Sequence, residues 1–433
     1  MWENDFRRSP GGKRPVSRTR TLADLAEGEL RGRRYLVRAD YNVPLKDSGE
    51  IADPIRVDAT LPTLALLRTG GARTILASHL GRPDGTRDPS ASLAPVARLL
   101  SERLRTEVRL VDGEPGSEAV RSAVDRLVSG ECLLLENVRF HPGETKNDPV
   151  LARAFAGLAE GFVGDAFGAA HRTHASNVGA ARIIRERAGP AVAGLLMARE
   201  LHYLQEALRE PARPFVAILG GAKISGKIDL IRAILPRVDR LLVGGAMANT
   251  FFRALGLDTG ASLVEEDRIA MAAELLDEAG DKLLLPVDCT VANQIEAGVL
   301  ARNVDRTAVG PADRIGDIGL DSREIFATEA RGAATVLWNG PMGVFETPPF
   351  DGGTFELARV LAEAADRGAT IVVGGGDSAA AADAAGVADR MTHISTGGGA
   401  SLDLLAGREL PGVAVLDRVE SEAAAVGEGG ATR

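Results

Sequence analysis

The sequence predicts an α/β protein in which a doubly wound, mainly parallel sheet with helices on both faces is used twice. Three observations predict it. Short apolar runs alternate with helical patterns along the chain, the order that βαβ units produce. Four runs in the second half end in glycine: Phe215–Leu219 before GGAK, 241–243 before GGAM, 335–338 before NGPMG and 370–373 before GGGDS. A length of 433 residues exceeds what one core usually organises, so two or three domains are expected.

In the first half, strands are expected at 35–39, 74–78, 107–111, Cys132–Leu135 and 161–164. Between them, 61–67 and 93–104 place apolar residues at three- and four-residue spacing, as half-buried helices do. The second half repeats the scheme after Pro214, with helices at 228–235, 267–278 and 354–365. Residues 193–210 form a long helical pattern between two prolines, which predicts a semi-rigid helix joining two domains. The expected division is therefore a first domain over 21–192, a joining helix over 193–212 and a second domain over 213–407. A segment over 408–418 is expected to return to the first domain, with Val413 to Leu416 as a final strand or loop after Pro411-Gly412. Residues 1–20 read as a disordered extension with six Lys/Arg, and 419–433 as a loose tail.

Composition excludes several classes. A net charge of −9 without a long basic stripe argues against general nucleic-acid binding. No apolar run approaches the roughly 18 residues of a membrane span, and the start lacks a hydrophobic signal core. Cys132 and Cys289 lie far apart among apolar residues, which reads as two core thiols in a reducing, cytoplasmic compartment.

In open α/β sheets the ligand sits beyond the carboxyl ends of the strands. In the first half those ends carry Arg38-Ala-Asp40-Tyr-Asn42, Ser78-His79-Leu-Gly-Arg82, Asn137-Val-Arg139-Phe-His141, and Asp165 through His171-Arg172-Thr-His174, with Arg56 in a following loop. Arginine's planar fork matches two oxygens of a phosphate or carboxylate at once. A single arginine is ordinarily a surface ion pair; convergence at four strand ends points instead to an anion. The histidines fit loop packing as well as substrate contact, and His202 reads as helix surface.

In the second half, Gly221 to Lys227 fits G-x-x-x-x-G-K, but Ile228 stands where a P-loop needs a Ser or Thr hydroxyl for Mg²⁺. Lys223 and Lys227, four apart, are expected on one face at the entry to a helix. Gly374-Gly-Gly-Asp377-Ser378 reads as strand, glycine turn and helix start, where free N–H groups and the dipole favour phosphate. Asp377 then serves as N-cap, as metal anchor, or as both. Gly397-Gly-Gly-Ala-Ser401 repeats the device without an acid.

Eight strings in this order resemble the phosphoglycerate kinase family from about residue 21 to 416. They are VRADYNVP (37–44), SHLGRP (78–83), LLENVRFHPGE (134–144), DAFGAAHRTHAS (165–176), GGAKISGKI (220–228), WNGPMGVFE (338–346), GGGDSAAA (374–381) and HISTGGGASLDLL (393–405). The resemblance implies two Rossmann-like, three-layer αβα domains joined by a hinge helix. It implies transfer of the acyl phosphate of 1,3-bisphosphoglycerate to ADP, giving 3-phosphoglycerate and ATP, with Mg²⁺, in a cytoplasmic monomer. Carried over by motif, the acid is bound by Asp40, Asn42, Arg56, His79, Arg82, Arg139 and Arg172. The nucleotide is bound by Gly221, Ala222, Lys223, Lys227, Gly245, Ala246, Asn339, Gly340, Pro341, Val344 and Glu346, with Gly374, Gly375, Gly376, Asp377 and Ser378 at the phosphates. The catalytic set is Arg56, Lys223, Lys227, Gly375 and Gly376, and Asp377 holds the metal.

Three departures from the family pattern are visible: Ala246 where a third glycine is common, DIGLDS (317–322) where DIGP is common, and Gly226 where a polar residue is usual. With the two ligand sets on separate domains, closure is expected when both substrates bind. A P-loop-type ATPase and a non-catalytic metabolite-binding protein on the same fold are the alternatives. A nicotinamide dehydrogenase is disfavoured because no G-x-G-x-x-G opens a helix after the first strand.

Overall fold

A computed structural model describes residues 17–206 and 208–420. The chain divides into two compact units: residues up to Ala166, Arg172–Ala198 and from Pro411 onward form one, and Phe167–His171 with Arg199–Leu410 the other.

The first unit is built on a six-stranded, wholly parallel sheet. Its order is Arg109–Val111, Cys132–Leu135, Arg73–Ala77, Arg34–Ala39, Gly161–Asp165 and Ala191–Ala193. The central strands are covered on both faces, which is why they read as unbroken apolar runs rather than alternating ones; Cys132–Leu135 is buried throughout. Helices Leu61–Thr69 and Ala94–Leu104 supply Leu64, Leu67, Val96 and Leu100 to a core that also holds Tyr35, Val37 and Leu76. Helix Pro149–Ala156 shows how a start is specified. Pro149 occupies the first turn, and the Asp148 carboxylate accepts from the amides of Val150 and Leu151, both at 2.9 Å.

The second unit repeats the plan in the order Leu283–Leu284, Arg240–Val243, Phe215–Leu219, Thr335–Asn339, Thr370–Gly374 and His393–Ile394, again all parallel. The sheet order reverses between Phe215–Leu219 and Thr335–Asn339, the switch point at which such sheets bind ligands. Helices Leu320–Gly332 and Gly352–Asp366 bring Phe326, Leu357 and Leu361 against Trp338, Val336 and Ile371.

Several features differ from the sequence reading. Residues 1–16 lie outside the described chain, but Ser17–Thr19 is a strand, paired antiparallel with Arg418–Glu420. Each edge thus gives the other its backbone partners, and the segment beginning the expected tail is ordered to Glu420; 421–433 lie outside the described residues. Of Val413 to Leu416, expected as a strand or loop, the first two end a short helix, Pro411–Ala414, and the last two lie in a turn and bend, consistent with the fixed φ of a proline in a first turn. A three-stranded antiparallel sheet of Arg302–Asp305, Asp288–Ala292 and Arg314–Ile318 was not foreseen. Arg302–Asp305 is almost wholly exposed and has no apolar alternation to announce it.

The expected joining helix is shorter than its pattern: Leu195–Leu201 continues as a wider π turn over His202–Glu206. Its start is anchored from the first unit's sheet, where Asp165 Oδ1 accepts from the Met197 amide at 3.0 Å and Thr63 Oγ1 from the Leu195 amide at 2.9 Å. Among the described residues, no helix is long and apolar enough to cross a membrane.

Candidate active site

The carboxyl ends of the first unit's strands bring the arginines together. Arg56, expected in a loop, stands on the one-turn helix Ile55–Asp58, and its Nη1 donates to Asp40 Oδ2 at 2.7 Å. Asp40 Oδ1 lies 3.9 Å from His79 Nδ1, which in turn meets Arg38 Nη2 at 3.3 Å. Arg38 is fully buried; its Nε donates to Ser176 Oγ at 2.9 Å, and that hydroxyl donates to Glu144 Oε1 at 2.6 Å. Glu144, also fully buried, takes a second bond from the Ser176 amide at 2.9 Å and faces His174 Nδ1 at 3.6 Å. The result is a continuous chain of polar contacts, Glu144–Ser176–Arg38–His79–Asp40–Arg56, buried except at Arg56. Asn42 Oδ1 accepts from the Gly81 amide at 2.8 Å, and Arg139 Nη1 donates to the Gly81 carbonyl at 2.5 Å. Arg82 stands exposed beside them.

Guanidiniums crowd one another at this rim: the charge of Arg172 acts against both Arg38 and Arg139, while Glu144 and Asp40 act in the opposite direction. Burial, then the neighbouring charges of Arg172 and Arg38, push Arg139 down to about 10. Burial and the charges of Arg38, Arg139 and Arg172 hold His79 well below its ordinary 6.5, so it is neutral at physiological pH. Burial likewise raises Glu144, against the pull of Arg38. Guanidiniums that depress one another gain from an added anion, because its charge offsets their mutual repulsion.

Sequence reasoning placed Arg38 at a strand end without giving it a role, and gave none to Glu144 or Ser176. An arginine inside an otherwise apolar strand, RYLVRA, was the available signal: a charge there is tolerated only when paired.

In the second unit the loops following four strands knit together at the switch point. The Gly220 amide donates to the Asn339 carbonyl at 3.0 Å and Gly221 to Pro341 at 2.8 Å; Gly245 donates to Met342 at 3.0 Å. Asn339 Nδ2 donates to the Gly374 carbonyl at 2.7 Å, and Ser378 Oγ accepts from the Gly340 amide at 2.6 Å. Lys227 Nζ donates to the Gly220 carbonyl and, at 2.8 Å, to the Asn339 carbonyl. Burial pushes this ammonium down to about 8, with Asp377 acting in the opposite direction. Lys223 is exposed. The helix begins only at Ile228, so Lys223 and Lys227 precede it in a turn instead of sharing a helical face. Gly226, the poorest helix former in that stretch, accounts for the late start.

Gly375 takes φ 91°, a left-handed conformation that L side chains rarely adopt, and a Cβ there would lie 3.0 Å from Asn339 Nδ2. It is the N-cap of helix Gly376–Ala384, which leaves Asp377 exposed in the first turn and not at the cap. The first amides of that helix have no intrahelical acceptor and are available to phosphate. Ala246 has φ −64°, so a side chain costs nothing where other chains carry glycine. Leu320 donates its amide to Asn303 Oδ1 at 3.2 Å, a bond that proline cannot make. Val344 and Glu346 are exposed on either side of buried Phe345.

Comparison with known proteins agrees with this geometry. The family model described as phosphoglycerate kinase matches residues 24–408. A phosphoglycerate kinase of Thermus thermophilus is 52% identical over 402 residues, covering 92% of this chain and 100% of that protein. One from Rubrobacter xylanophilus is 52% identical, covering 93% and 99%. The solved structure of phosphoglycerate kinase from Coxiella burnetii superposes with a TM-score of 0.83 at 38% identity, over 92% of this chain and 98% of that one. The chain belongs to the phosphoglycerate kinase family and is a phosphotransferase with a carboxyl group as acceptor.

Proposed function

We propose that the arginine cluster of the first unit holds the phosphorylated acid and that the knitted loops of the second hold the nucleotide. The reaction moves the acyl phosphate of 1,3-bisphosphoglycerate to ADP, giving 3-phosphoglycerate and ATP. The observation that carries the assignment of the acid is the crowding of guanidiniums at one sheet rim, where burial and then the charges of Arg172 and Arg38 push Arg139 down. Asp40, Asn42, His79, Arg82, Arg139 and Arg172 bind the substrate in this reading, with His79 as a neutral hydrogen-bonding group.

On the nucleotide side, Gly221, Ala222, Gly245, Ala246, Asn339, Gly340, Pro341, Val344 and Glu346 line the ligand, and Gly374 to Ser378 approach its phosphates. Phosphoryl transfer asks for positioning and charge stabilisation more than for acid–base chemistry. Arg56 and Lys223 neutralise the equatorial oxygens of the moving group, while Lys227 and the amides of Gly375 and Gly376 take up charge as it develops on the nucleotide.

Among the described residues, no group of three or more His, Cys, Asp or Glu is placed to hold a metal ion. Asp377, an exposed lone carboxylate at the phosphate loop, suits Mg²⁺, which is commonly held by one or two carboxylates plus substrate phosphates. Bound there, Mg²⁺ supplies charge neutralisation to the phosphates. A cytoplasmic monomer completes the reading, with the buried thiols Cys132 and Cys289 fitting a reducing compartment. A coupled assay with 3-phosphoglycerate, ATP and Mg²⁺ tests the proposal, run alongside Arg139→Ala and Asp377→Asn. The first should raise the KM for the acid and the second the Mg²⁺ requirement. Variants indistinguishable from wild type in both quantities would refute the assignments.

A further inference from the structure

The string DIGLDS has no role in the assignments above, yet its first residue is a fully buried carboxylate. Asp317 Oδ2 accepts from the Gly353 amide at 2.6 Å and from Arg323 Nη2 at 2.9 Å, and Oδ1 accepts from the Ile318 amide at 2.8 Å. Gly343 and Gly353 approach so closely that a Cβ on either would lie 2.4 Å from Oδ1. Arg323 packs against Gly352 in the same way, with 2.2 Å from a built Cβ to Nη1. The ion pair is therefore wedged between the two ends of segment 343–353.

The segment is fixed at further points. The Val344 amide donates to the Gly316 carbonyl at 2.9 Å, and Thr354 Oγ1 accepts from the Met342 and Gly343 amides at 3.0 and 3.3 Å. Phe345 and Phe350 are buried, while Val344 and Glu346 face outward. We infer that Asp317 and Arg323 are positioning residues for the nucleotide: they set the segment from which Val344 and Glu346 are presented to it. This rests on the assignment of Val344 and Glu346 to the nucleotide.

The pair also carries a pH signature. Burial raises Asp317 to about 7, against the Gly353 and Ile318 amides and the Arg323 charge, with Asp351 adding to the rise; Cys289 feels its charge from the neighbouring strand. All three partners of the carboxylate are donors. A proton on either oxygen meets no acceptor, so protonation breaks a contact.

The experiment is initial-rate kinetics from pH 6 to 8, varying ATP at saturating 3-phosphoglycerate and then the reverse, on wild type, Asp317→Asn, Arg323→Lys and Glu346→Ala. In wild type, the KM for ATP should rise as pH falls through about 7, beyond what the nucleotide's own ionisation gives. Asp317→Asn should raise the KM for ATP about tenfold and lose that inflection, leaving kcat and the KM for 3-phosphoglycerate near wild type. Arg323→Lys, which keeps a charge beside Asp317, should fall between the two and decides the matter if Asp317→Asn does not fold. Folded variants with a wild-type KM for ATP, or with both KM values rising together, would overturn the inference. If Glu346→Ala leaves the KM for ATP unchanged, the nucleotide assignment fails, and the inference with it. If it raises that KM while Asp317→Asn does not, the positioning role alone fails.

Discussion

Replacing Lys227 by Met separates binding chemistry from stability. The ammonium is held at about 8 instead of its ordinary 10.5, which at about 1.4 kcal/mol per tenfold change corresponds to a cost of ~3 kcal/mol in the charged form. Because the folded value lies below the unfolded one, the cost is fully present below pH 8 and disappears as pH rises past 10.5. Methionine removes it along with the bonds to the Gly220 and Asn339 carbonyls, which offset it by about 1–1.5 kcal/mol each. At pH 7 the variant should therefore match wild type in urea unfolding to within about 1 kcal/mol. Between pH 8 and 10.5 the difference should swing toward wild type. Turnover in the coupled assay should fall ~10²–10³-fold, as when an aimed charge-stabilising donor is lost. A variant that unfolds several kcal/mol more easily at pH 7 while turning over near the wild-type rate would refute the reasoning, since Lys227 would then be a structural strut.

Arg56→Ala should cut turnover ~10²–10³-fold with the fold intact by circular dichroism, because it removes both an aimed charge and the partner of buried Asp40. In NMR titration, the His79 imidazole should stay neutral from pH 8 down to about 6. Gly226 has ordinary φ and no atom within 4 Å of a built Cβ, so Gly226→Ala should raise stability by about 0.4–1 kcal/mol in urea unfolding. ATP hydrolysis in the absence of 3-phosphoglycerate should be negligible beside turnover with it; brisk hydrolysis would favour a P-loop-type ATPase.

The sheets were legible in the sequence because strands buried on both faces must be apolar throughout, and Phe215–Leu219 and Cys132–Leu135 begin and end where their composition changes. The exposed antiparallel sheet left no such mark, and neither did Thr63 and Asp165, which accept from the first amides of helix Leu195–Leu201 and whose roles depend on distant partners. The same limit applied to the candidate site. Rim residues follow strand ends and were named, whereas Glu144, Ser176 and Asp317 act through contacts made only in three dimensions. The lysine turn shows a local misreading: spacing suggested one helical face, but a single glycine delayed the helix.

The pairing of Ser17–Thr19 with Arg418–Glu420 bears on how the chain is made. Asp417 takes bonds from Arg185 Nε and the Ala191 amide, and Leu416 is buried beside Gly164. The first unit's sheet thus acquires these supports only after the chain has passed through Arg199–Leu410. The unit formed by Phe167–His171 and Arg199–Leu410 needs no residue beyond Leu410, so it should be able to mature first, against the usual order. A chain truncated after Leu410 should resist proteolysis over Arg199–Leu410 and be cut in its earlier half.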